Sequence, residues 1–317
     1  MPRTLILFFF FNTSPMSAQA DSLKSIQFAL GANFAIALAK SAGAVFTGSA
    51  SMLAESIHSF ADCGNQALLI WGLKSAKRAA SPDHPLGHGR AIYFWSFIVA
   101  LMLFSMGGLF SIYEGVHKLH DTEPVRYAWV AVGILSFGIA AESVSLWGAL
   151  REIDKERGEL NLWQWFRTSR QSELLVIFGE DLAALGGLVL ALAFIALAMI
   201  TGNPMWDAIG SISIGVLLVL VAILVGVEVK ALLIGQSAEP QMLVRLRAHL
   251  EAQPEVAQIY SLITQQLGSE IMVAVKARMQ PVGSDVALIA AINAVEARLR
   301  VEFAQVRWVF FEPDLVD

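Results

Sequence analysis

Residues 51–66 read SMLAESIHSFADCGNQ, inside a stretch, Ser51 to Ser75, that is otherwise apolar enough for a membrane helix. Glu55, His58 and Asp62 fall at i, i+3 and i+7, so a helix carries all three on one face. A charged carboxylate near the bilayer centre costs at least about 2.5 kcal/mol on insertion scales, so such groups face a bundle interior and mark an ion path. His58 and Asp62, one turn apart, can both point at a single cation. The competing reading is a buried hydrogen-bonded pair that only fastens helices together, and spacing by itself leaves that reading standing.

The surrounding composition agrees with a membrane setting. Of 317 residues, 56% are hydrophobic and 15% charged, with a mean hydropathy of +0.60, whereas soluble domains are about a quarter charged. The chain therefore reads as an integral, multi-pass membrane protein in contact with lipid. Its formal charge of −5, with no basic run longer than Lys74 to Arg78, gives no indication of nucleic acid as a partner. Cys63 is the single cysteine, which excludes an internal disulfide and a thiolate-rich zinc site within one subunit. Any metal must be held by oxygen and imidazole. There is no H-E-x-x-H, no nucleophile motif and no call for an organic cofactor, so an enzyme is not expected.

Six stretches are long enough for the roughly 20 apolar residues that span a bilayer: Ser25 to Val45, Ser51 to Ser75, Ala91 to Val116, Tyr127 to Leu150, Glu173 to Ile200 and Trp206 to Leu233. Short linkers at Thr47 to Ser49 and Thr201 to Pro204 make hairpins of the first and last pairs. Lys74, Lys77, Arg78 and Arg90 lie in one loop and Arg151, Lys155, Arg157, Arg167 and Arg170 in another, against Lys118 and Arg126 on the opposite side. Cationic loops stay cytoplasmic, so both termini are expected there. The apolar run Leu5 to Phe11 is too short to span; residues 1–21 read as a disordered lead-in, with a cleaved signal core as the alternative and Met16 as a candidate initiator. The six-helix transport domain is expected over 22–236. Residues 237–317 read as a small soluble domain in the order α, β, β, α, β: helices at Gln241 to Glu251 and Ala287 to Arg300, strands at Val256 to Thr264, Ile271 to Met279 and Val306 to Phe311, and a turn at Gly268. That order suits an antiparallel sheet covered on one face.

A second acidic locus interrupts the fifth span at residues 178–188, FGEDLAALGGL. Glu180 and Asp181 diverge by about 100° around a helix, so only one can aim squarely at a shared site, and spacing does not choose between them. If Asp181 joins His58 and Asp62, one nitrogen and two or more oxygens suit tetrahedral zinc and leave cobalt, manganese and iron open. Lys40 and Glu142 are candidates to pair with each other or line a cavity, snorkelling or helix packing being the alternative. Cys63 reads as a packing residue, and His117, His120 and His249 as surface residues. In the loop SPDHPLGHGR, residues 81–90, His84 and His88 with Asp83 form a possible second cluster, solvent exposure being the alternative.

The string SASMLAESIHSFADCGNQALL at 49–69, followed by SPDHPLGHGR, resembles the second-helix and loop signature of the cation diffusion facilitator family. FGEDLAALGGL and TGNPMWDAIGSISIG at 201–215 point to its zinc transporter nine-like branch. The resemblance covers nearly the whole chain from about Ser22. It implies an α-helical membrane protein with six transmembrane helices and a small α+β ferredoxin-like cytoplasmic domain, acting as a homodimeric, proton-coupled antiporter that exports metal from the cytoplasm. By position His58 and Asp62 match the two second-helix ligands and Asp181 the fifth-helix aspartate. The chain departs at Ile177, where the fourth ligand should stand, and Glu180 is the substitute the resemblance offers. Ser81 stands where many members carry an aspartate, although His84 and His88 match. His249 alone remains of the ligands that bind metal in the C-terminal domain of some members, which implies dimerisation without structural zinc.

Zinc ligands bind deprotonated, so metal and protons compete for the same groups, and a site that swaps them is an exchanger by linkage. Zinc is expected as transported substrate and a bacterial inner membrane as the residence. Competing readings are a manganese, iron or cobalt transporter of the same fold, a sensor or scaffold that has lost transport, motivated by Ile177, and a membrane metalloenzyme.

Overall fold

The computed structural model describes residues 33–120 and 127–316. The expectations for residues 1–21 and for the start of the first span lie outside the described residues. A helix over residues 33–47 (α1) turns at Gly48, whose φ of +64° favours glycine, into α2 (Ala50–Ala76). The third helix, α3 (Ala91–Lys118), contains a π-helical stretch, Leu103–Leu109. Then come α4 (Ala128–Glu156), a short α5 (Leu162–Thr168), α6 (Ser172–Thr201) and α7 (Met205–Ile234). Among the described residues four helices, α3, α4, α6 and α7, are long and apolar enough to cross a membrane. α2 has the length, 27 residues or about 40 Å, and its polar stripe lowers its hydropathy. The protein is thus a helical membrane protein.

Local chemistry sets the helix ends. Ser49 caps α2 by accepting from Met52 N at 3.1 Å. Asp207, one turn into α7, holds the same terminus: its carboxylate accepts from Ala50 N and Ser49 Oγ at 2.6 Å each. Gly202, at φ +67°, ends α6 just ahead of Pro204. The short α5 was not foreseen from the sequence; it starts with a capping box of Asn161 and Gln164 and is anchored to α7 by an ion pair from Arg167 to Glu228. Glycines let α3 and α7 approach closely. A Cβ on Gly108 would lie 3.2 Å from Gly215 O, and one on Gly215 would lie 2.7 Å from Gly108 O.

Beyond α7 the chain forms α8 (Pro240–Glu251), β1 (Val256–Leu267), β2 (Glu270–Met279), α9 (Asp285–Glu302) and β3 (Val306–Pro313). The order α, β, β, α, β is the expected one, and Gly268 makes the hairpin turn at φ +68°. The sheet, ordered β1-β2-β3, differs from the expectation of a wholly antiparallel one: β1 pairs β2 antiparallel and β3 pairs β2 parallel. The reason is connectivity, because α9 returns the chain to the end at which β2 began. Leu246 and Leu250 of α8 and Val295 and Leu299 of α9 share a core with Val273 and Val275 of β2. A separate core of Leu, Val and Ala side chains fills the membrane helices.

Candidate metal site within the membrane helices

The face of α2 foreseen at Glu55, His58 and Asp62 is turned into the bundle. Glu55 and His58 are fully buried, and the Asp62 side chain is 16% exposed. His58 Nε2 stands 3.6 Å from Asp62 Oδ2, too long for a hydrogen bond and close enough for both to hold one ion. Five buried polar atoms find no hydrogen-bond partner among the described residues: Glu55 Oε1, both His58 ring nitrogens, Asp62 Oδ1 and Asn65 Oδ1. Such orphans are few in folded proteins and call for an ion or water. Here all five lie on one stripe of one helix.

Beside them a cavity of about 20 Å³, room for roughly one water, is lined by Asp62, Glu142, Glu180 and Asp181 from three helices, with Ser59, Gln66, Ser145 and Asn33. The two fifth-span carboxylates part as their 100° separation requires. Glu180, 7% exposed, turns to α2 and accepts from Asn65 Nδ2 at 2.5 Å. Asp181 turns to α4 and accepts from Ser145 Oγ at 3.1 Å. Ile177, 37% exposed, points outward. Gly107, within the π-helical stretch of α3, passes His58; a Cβ there would lie 3.7 Å from His58 Nδ1. Among the described residues no three His, Cys, Asp or Glu side chains stand in preassembled ligating geometry.

Several sequence expectations are relocated. Lys40 pairs with Glu55, not Glu142: Nζ lies 3.2 Å from Glu55 Oε2 and donates to Ser59 Oγ at 2.7 Å, with Lys40 and Glu55 both fully buried. Glu142 lines the cavity, the other alternative open for it. In the loop His84 and His88 do meet, ring centroids 4.4 Å apart, and His88 Nδ1 lies 3.2 Å from Ala79 O. Asp83 is exposed beside them. Cys63 is half-buried on α2. His249 is half-buried against Phe303 and contacts Gln253, so it is not the surface residue expected, because α8 turns that face toward α9. Asn65, missed from the sequence, was legible as the next step of the stripe, at i+10 from Glu55.

The family model of the cation efflux transmembrane domain matches residues 26–234. The chain belongs to the cation efflux family. Within it, the chain is 37% identical over 227 residues to the proton-coupled zinc antiporter SLC30A9, mitochondrial, of Xenopus laevis, and 35% identical over 227 residues to its Homo sapiens counterpart. Each match covers 71% of this chain and 40% of the relative. Metal tolerance protein C4 of Arabidopsis thaliana is 30% identical over 250 residues, 78% of this chain and 54% of the relative. The chain thus spans about two fifths of the length of the SLC30A9 relatives it matches.

Proposed function

We propose that this chain is a divalent cation transporter whose substrate is zinc and whose driving ion is the proton, exporting metal from the cytoplasm. One observation carries the reading: five unpartnered buried donor and acceptor atoms on one face of α2, beside a cavity into which three helices direct carboxylates. His58, Asp62, Glu180 and Asp181 are the residues we assign to the metal, with Glu55 held back by Lys40. His84 and His88 are assigned to a loop site on the cytoplasmic side. Names of the SLC30A9 relatives support both zinc and protons. Deprotonated ligands are what zinc needs, so each metal ion that enters expels protons from the same groups.

The architecture we assign has six spans in a transport domain over 22–236 and a ferredoxin-like cytoplasmic domain over 237–317. α1 and α2 supply the two spans beyond the four apolar helices. The basic loops support cytoplasmic termini, and a bacterial inner membrane is the residence we assign. A homodimer is supported by apolar surface on the last domain, where Val286 is 77% and Ile289 58% exposed. No catalytic role is assigned.

The test is zinc flux in proteoliposomes under an imposed pH gradient. The wild type should accumulate zinc against its gradient and lose that accumulation when a protonophore collapses the pH difference. His58→Ala and Asp62→Ala should each cut the rate at least tenfold. Undiminished flux in both variants refutes the site. Zinc binding without flux in the wild type would instead favour the sensor reading that the outward-facing Ile177 motivates.

A further inference from the structure

On the fifth span Ile177 faces away from the bundle, and Glu180 and Asp181 turn to different helices, so the two carboxylates do not aim at one point. The structure offers an unassigned donor on the opposite helix. Asn65 is fully buried on α2, three residues past Asp62, so the two side chains are neighbours on one helix face. Its amide orientation follows from its partner: Nδ2 lies 2.5 Å from Glu180 Oε1, and a flipped amide would set an oxygen against a carboxylate. The amide oxygen is therefore the atom left over. It is sealed from solvent and has no partner among the described residues. It shares that condition with Asp62 Oδ1 and with both nitrogens of His58.

We propose that Asn65 is a ligand of the transported cation, its amide oxygen supplying a neutral donor while its amide N–H orients Glu180 toward the same ion. This rests on reading the chain as a metal transporter. With His58, Asp62 and Glu180 the donor set is one nitrogen and three oxygens, the four that a tetrahedral zinc takes. A set of one imidazole and three oxygens is also hard, which favours manganese more than a set richer in imidazole would. α6 then contributes Glu180 to this donor set, and its Asp181, held by Ser145 across the cavity, meets the same ion as it passes toward α4.

The experiment is zinc binding by equilibrium dialysis to the purified full chain, with cobalt(II) as a spectroscopic probe. Asn65→Ala should raise the zinc Kd at least tenfold and change the cobalt d–d absorption band, since one oxygen leaves the coordination sphere. In a Glu180→Gln background, Asn65→Ala should still raise Kd at least threefold, because ligation is separate from orienting Glu180. If Asn65→Ala does not fold, Asn65→Ser carries the same measurements. An unchanged Kd and cobalt band, or an effect that vanishes in the Glu180→Gln background, overturns ligation by Asn65. A wild-type protein that binds and moves no zinc overturns the proposed function instead, so the two failures are distinguishable.

Discussion

Lys40 shows how strongly one buried side chain depends on another. Its ammonium and the Glu55 carboxylate are both sealed from solvent, and each neutralises the other's burial. Breaking a buried pair by removing one partner is strongly destabilising, because the remaining charge is left uncompensated. Lys40→Met should therefore lower stability by about 3–5 kcal/mol. The double variant Lys40→Met, Glu55→Gln should recover most of that loss, since it removes both charges. Chemical unfolding in detergent micelles checks both. Equal instability of the single and double variants would show that Lys40 acts through packing of its alkyl stem. The same pairing sets Glu55 apart from Asp62 on that stripe: one of its oxygens is already engaged by Lys40.

At the scale of elements, the contact between α3 and the β1–β2 hairpin joins the membrane helices to the last domain. Tyr93 of α3 accepts at its hydroxyl from Gly268 N at 2.9 Å, at the hairpin tip. Gly89, just ahead of α3, touches the same tip backbone to backbone: a Cβ there would fall 2.1 Å from Leu267 O. No rotamer relieves a clash with a carbonyl, so Gly89→Ala must lift the tip. The expected cost is about 1–3 kcal/mol, with faster hydrogen exchange at Gly268 to Ile271. Gly133→Ala on α4, where a Cβ meets nothing within 4 Å, should leave exchange at the tip unchanged. Equal exchange in both variants would show that the tip does not bear on Gly89.

For the molecule as a whole, the two cores meet through a short, hydrogen-bonded linker. Arg90 donates to the carbonyls of Leu233 and Ile234 at the end of α7, at 2.6 and 2.7 Å, and Gln266 N donates to Gln236 O at 2.8 Å. A cleft of about 870 Å³ remains between them, lined by Lys77, Tyr93, Arg170, Glu173 and Trp308 among others. Within the last domain Arg298 of α9 binds Glu255 ahead of β1 at 2.5 Å, and this hydrogen bond holds the Glu255 carboxyl below its ordinary value. A folded-state pKa below the unfolded one means that the contribution is full above the ordinary glutamate range, near about pH 4.3, and is lost as pH falls through the folded value. The contact between α9 and β1 should thus loosen below about pH 4. Glu255→Gln should flatten that dependence, measured as exchange of β1 and α9 amides normalised to the intrinsic rate at each pH. An unaltered profile would assign the acid sensitivity to other carboxylates.

Periodicity and hydropathy made much of this legible from residues alone. The polar stripe of Glu55, His58 and Asp62, the hairpin glycine at 268 and the order of the last domain's elements are local properties, set by helix and turn geometry that the chain carries in its own spacing. The direction each fifth-span carboxylate takes is different in kind. Glu180 and Asp181 are adjacent and chemically alike, and only the positions of α2 and α4 send one to Asn65 and the other to Ser145. Lys40 likewise had Glu142 as its candidate partner from the sequence, and packing of α1 on α2 gave it Glu55 instead. The parallel pairing of β3 came from the path of α9, which no strand's own pattern records. Sequence determined which residues had to be buried together with their charge; tertiary packing decided which partner each one met, because a partner is a neighbour in space and spacing along the chain encodes only neighbours on the same helix or strand.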